Sequence, residues 1–319
     1  MNAWDELVQR CALRRRDKIG PLSDEAYAEL LLAVRADPEA FVDTSVERSA
    51  LVMARALDAY RASCRDDDLL DDAAYEAERA RRLAALHAEC VLAREIDESS
   101  LDANLMQLLT ADLEPDPLLE GLLELEKDFS CDEPPAGDAW DDVFYRPHLR
   151  LRAAVARTCA DSARFKMARD AALSVIDASP SDPLGARHTC MLAYARLEDE
   201  AGFDAVSARF SRQESSWSHL ARAIMLYKLD RMPAARRALR GFDGLCPGGA
   251  YALLRPTYVE LYLPDRPEVA PCSFEESMLA VREAEPVIAD TPDFIPWCQD
   301  QEWLVASAAR FAEGHDLDW

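Results

Sequence analysis

The 319-residue chain carries 60 acidic residues against 36 basic ones, a formal net charge of −24. That balance weighs against a nucleic-acid backbone or an anionic membrane as partner. Half of the residues are hydrophobic, enough for a packed core, and the length suits about two domains or one elongated array.

The chain opens MNAWDELVQRC, with Asp5 and Glu6 where a secretory signal would be apolar. The longest uncharged stretch, Gly244 to Leu254, is 11 residues and includes Pro247, too short to span a bilayer. Nine cysteines lie far apart and never as CxxC, which reads as reduced thiols packed as small apolar residues. A cytoplasmic location is therefore expected. Acidity is concentrated early: residues 1–145 hold 35 acids and 15 bases, whereas residues 146–319 are close to balanced.

Ala, Leu, Arg, Glu and Asp dominate, glycines number 10, and no run of alternating β-branched residues appears, so the fold class is all-α. Ser23 is placed to cap a helix carrying Ala26, Leu30 and Val34, which Asp37-Pro38 ends. Asp72 to Glu95 repeats apolar residues at three-to-four spacing: Ala77, Ala80, Leu83, Leu86 and Cys90. Asp102–Ala111 and Pro117–Lys127 form a short pair. Residues 1–133 thus read as an acidic helical region. The stretch 128–147 is irregular, yet Trp140, Phe144 and Tyr145 are too apolar for an open linker. Within it, 134–147 reads as an aromatic connector docked on a helix end.

Residues 148–250 contain a repeat. Ala156, Ala168 and Pro180 are twelve apart; Ala223, Ala235 and Pro247 repeat the interval, displaced by 67. Small side chains let two antiparallel helices approach closely at their crossing, and the proline then stops the second helix. A weaker pair, Ala186–Leu197 and Phe203–Phe210, lies between them, with Cys190 at the small position. Residues 251–319 read as a C-terminal cap, with helices at Glu275–Ile288 and Pro296–Glu313 after the proline-rich stretch Leu263–Phe274.

These units resemble the tetratricopeptide repeat. Arg146-Pro147-His148-Leu149-Arg150-Leu151-Arg152-Ala153 and Ser179-Pro180-Ser181-Asp182-Pro183-Leu184-Gly185-Ala186-Arg187 are further similar to bacterial relatives of the suppression-of-tumorigenicity family. The resemblance implies a solenoid of helical hairpins acting as a non-enzymatic interaction scaffold. It also implies a concave face lined by first helices. Carried over by position, that face takes Arg150, Ala153 and Arg157, then Arg187, His188, Met191 and Tyr194. Trp217, Leu220, Ile224, Tyr227 and Lys228 complete it. Arg150, Arg157, Arg187, His188, Tyr194, Tyr227 and Lys228 are the expected partner-binding residues, suited to an acidic peptide or terminal carboxylate. Two alternatives stand beside this. The arginines pair with acids of the N-terminal half, and the aromatics are core.

No GxGxxG, GxxxxGK, GxSxG or HExxH occurs, and the five histidines are distant in sequence. His188 and Cys190 stand two apart and point to different helix faces. Asp66-Asp67-Asp68 with Asp71-Asp72 lacks the glycine and spacing of a calcium loop. No cofactor and no metal is expected, and oligomeric state is left open. The competing functional classes are an acidic decoy for a basic partner and an enzyme with dispersed catalytic residues.

Overall fold

The computed structural model describes residues 3–64, 71–130, 133–210, 214–255 and 263–319. Among them the chain is all-helical, with no strand. It divides into two compact units, residues 1–151 and 152–319. The division falls within a helix. The run Asp66–Asp68 lies outside the described residues.

The first unit contains α1 (Ala3–Ile19), α2 (Asp24–Ala36), α3 (Ser45–Ser63), α4 (Asp72–Ile96), α5 (Leu101–Leu109) and α6 (Pro115–Asp128), and it ends in the opening turns of α7 (Arg146–Asp161). α1 packs on α2 and α3, α3 on α4, α4 on α5, and α5 on α6. Leu7, Val8, Cys11 and Ala12 of α1 meet Val34, Leu51 and Ala54 in one buried cluster. Ser23 caps α2 as its sequence suggests, accepting from the Ala26 N–H. Thr44 and Glu47 form a reciprocal capping box on α3 that escaped the sequence reading. In α4 the expected apolar stripe is buried only from Leu83 onward; Ala77 and Ala80 are exposed. α6 begins at Pro115, two residues earlier than expected, because the fixed φ of proline suits a first helical turn.

The second unit holds the rest of α7, then α8 (Phe165–Ala178), α9 (Ala186–Leu197), α10 (Glu200–Arg209), α11 (Ser216–Lys228) and α12 (Met232–Leu245). These are followed by α13 (Gly249–Leu254), α14 (Phe274–Ala289), α15 (Phe294–Gln299) and α16 (Glu302–Gly314). α9 packs on α8, α10 and α11; α11 packs on α12. Ala223 and Ala235, one on each helix of the α11–α12 pair, are fully buried. α14 lies against both α9 and α11, and α13 against α14 and α16, so the C-terminal segment shares this unit's core. The single helix expected over 296–313 is two, because Gln301 adopts extended backbone between α15 and α16. No helix among the described residues is long and apolar enough to cross a membrane.

Candidate functional site: two buried arginine clusters

In the first unit Trp140 lies against the first turns of α7. Asp138 caps the short 3-10 turn, Ala139–Asp141, that carries it. The Arg146 and Arg150 guanidiniums lie 5.0 and 5.4 Å from the Trp140 ring, and Arg146 Nε donates to the Trp140 carbonyl at 2.8 Å. Both arginines are buried and face Glu6 of α1. Arg150 donates to both Glu6 oxygens, at 2.9 and 2.7 Å. Arg10 reaches Asp102 of α5 at 2.7 Å as well as Glu6. Burial alone would raise the Glu6 carboxyl, but Arg150, Arg10 and Arg146 overcome it and hold it at about 2.

The second unit centres on Trp217 of α11. His188 of α9 stacks on its ring at 4.2 Å, with the Arg266 guanidinium 5.4 Å from the ring centroid. Arg266 grips Glu283 of α14 through two parallel bonds of 2.7 and 2.9 Å and donates to the Leu184 carbonyl at 2.6 Å. Burial pushes the Glu283 carboxyl up and the Arg266 guanidinium down. The fork-to-fork contact is nonetheless the geometry of an ionised pair. Gly185 makes room for this arginine: its φ is +63°, and an added Cβ would stand 1.9 Å from Arg266 Nη1. Asp182, buried in the Ser-Asp-Pro turn, accepts from the Ala186 and Arg187 N–H groups at 2.7 and 3.2 Å and thereby caps α9. Burial, then Arg266 and Arg187, hold His188 well below the usual imidazole range, so it is neutral.

Each residue expected to face a partner has a place inside its own unit. Arg150 belongs to the Glu6 cluster of the first unit; the others are in the second. Arg157 donates to the Pro264 carbonyl at 3.2 Å, and Arg187 lies 3.6 Å from Asp182. His188 is stacked, and the Tyr194 ring presses on Gly202. Tyr227 packs on Phe294 and Trp297 and donates to the Pro292 carbonyl, while Lys228 is 3.3 Å from Glu198. Ala153, Met191, Trp217, Leu220 and Ile224 are buried. The face that α9 and α11 were expected to open to a partner is covered here by α14 and by the 263–268 stretch carrying Arg266.

Glu6, Asp102, Asp182, Arg266 and Glu283 escaped sequence reading. Of these only Asp182 carried a local signal, an Asp four residues before a helical run. Chemically, both clusters engage their carboxylates with guanidiniums or helix N–H groups, an arrangement that locks helices together. No family model, curated protein or solved structure matches the chain.

Proposed function

We propose that this chain is a non-enzymatic interaction scaffold built on tetratricopeptide-like helical hairpins, with the first-helix face of its second unit filled by its own C-terminal segment. The observation that carries this reading is the packing of successive helices: α8 on α9, α9 on α10 and α11, and α11 on α12, with Ala223 and Ala235 buried in the last pair. Helical pairs of this kind offer pre-formed surfaces that need little ordering on binding. The resemblance of residues 146–153 and 179–187 to bacterial repeat proteins of the suppression-of-tumorigenicity type supports the same role.

The test is capture of partners by the tagged full chain from a lysate of its source, followed by reconstitution with the purified partner. A saturable complex of fixed stoichiometry, leaving both components chemically unchanged, is the expected result. Turnover of the captured molecule by substoichiometric amounts of the chain overturns it.

A further inference from the structure

The outer face of α12 departs from the rest of this acidic protein. Its inner stripe, Ala235, Leu239 and Phe242, is fully buried. Two adjacent stripes at i, i+4 spacing point away from it. One runs Arg236, Arg240, Gly244; the other runs Arg237, Gly241, Leu245. All three arginines are exposed, and Leu245 is 57 % exposed at the end of the same face.

Several other arginines of this unit pair with carboxylates: Arg222 with Asp204, Arg231 with Glu200, Arg196 with Asp290. Arg236, Arg237 and Arg240 make no ion pair among the described residues. Arg236 Nε donates to the Gln301 amide oxygen at 3.0 Å, and Arg240 lies 5.1 Å from the Trp303 ring. Neither contact neutralises charge. On α12 these three arginines stand against one acid, Asp243, a positive local balance in a chain of net −24 that attracts an anionic surface. Gly241 and Gly244 add access, since a Cβ at either would meet nothing within 4 Å.

We infer that the outer face of α12 is a docking surface for an acidic amphipathic helix of a partner protein. Its carboxylates meet Arg236, Arg237 and Arg240, its backbone passes close over Gly241 and Gly244, and an apolar side chain rests on Leu245. An amphipathic protein helix is favoured over nucleic acid because the face ends in the exposed apolar Leu245, which an apolar side chain can cover and a phosphate backbone cannot. This inference rests on the scaffold reading and names its partner chemistry. Its test uses a purified probe, so it can fail while capture from lysate still succeeds.

The probe is a fluorescein-labelled synthetic helical peptide with glutamates on one face and leucines on the other, titrated with the full chain by fluorescence anisotropy. Saturable binding at 50 mM salt that weakens at least about tenfold at 300 mM is expected. Arg236→Glu/Arg237→Glu/Arg240→Glu should lose at least about tenfold in affinity while keeping the helical circular-dichroism spectrum of the wild type. Arg48→Glu/Arg61→Glu should stay within about twofold. Gly241→Gln, which keeps every charge, should weaken binding severalfold while leaving the fold intact, and it serves as the decisive variant should the triple reversal not fold. Absence of saturable peptide binding, equal affinity of wild type and Gly241→Gln, or tighter binding of a DNA duplex than of the peptide overturns the inference.

Discussion

Arg150 holds Glu6 through two parallel hydrogen bonds, Nη1 to Oε1 at 2.9 Å and Nη2 to Oε2 at 2.7 Å, across 144 residues of sequence. The pair is buried, with Arg146 3.8 Å from the same carboxylate and Trp140 beside both guanidiniums. Removing one member of such a pair strands the opposite charge in a low-dielectric interior. Glu6→Ala should therefore cost about 3–5 kcal/mol. Glu6→Leu combined with Arg150→Met should cost much less than Glu6→Leu alone. Urea unfolding followed by circular dichroism measures both. Equal losses in the single and double variants would show that the charge pair is not the source.

Acid should act on the same pair. The folded Glu6 carboxyl sits at about 2 against an ordinary 4.5, so the unfolded chain binds its proton first. Stability from Glu6 is fully present above pH 4.5 and is lost as pH falls toward 2, by about 3 kcal/mol in all. In Glu6→Gln this window should flatten. A pH series of unfolding free energies for the two proteins reads the difference directly.

His188 should shape an earlier stage. Its folded pKa lies well below the ordinary 6.5, chiefly through burial and then through Arg266 and Arg187. The unfolded chain therefore takes up a proton first, and stability present above pH 6.5 declines as pH falls below it. His188→Phe retains an aromatic ring against Trp217 and cannot titrate. Relative to wild type, its stability between pH 6.5 and 5 should be flat; a parallel decline in both would assign the effect to another group.

Much of the framework was legible in the sequence because helices announce themselves locally. Ser23 and Asp37-Pro38 bracket α2, the apolar spacing of residues 83–90 marks the buried part of α4, and the alanines 223 and 235 are buried, one in each of two packed helices. Charge pairing is different, since nothing near Arg150 in sequence says that Glu6 will meet it. The alternative in which basic residues pair with acids of the N-terminal half describes Arg150, which binds Glu6 and lies 3.6 Å from Asp102. Arg157 and Arg187 instead find partners within the second unit, the Pro264 carbonyl 107 residues further on for Arg157 and the nearby Asp182 for Arg187. Arg266 lay hidden for another reason. It stands in a proline-rich stretch with no periodicity, and only the folded chain brings it to Trp217 and Glu283.

The two glycines at helix surfaces give the sharpest contrast in stability. Gly202 lies in α10 where the Tyr194 ring of α9 presses closest, and an added Cβ would stand 2.2 Å from that ring. Gly202→Ala must push the ring or the helix aside, at a cost of about 1–3 kcal/mol. Gly241 lies in α12 with nothing within 4 Å of a would-be Cβ. There alanine only restricts the unfolded chain and favours helix, so Gly241→Ala should stabilise by about 0.5–1 kcal/mol. Thermal unfolding of the two variants should move in opposite directions from wild type. The same substitution therefore reports packing in one helix and an open face in the other, and a shared sign would contradict the helix contacts described for α9, α10 and α12.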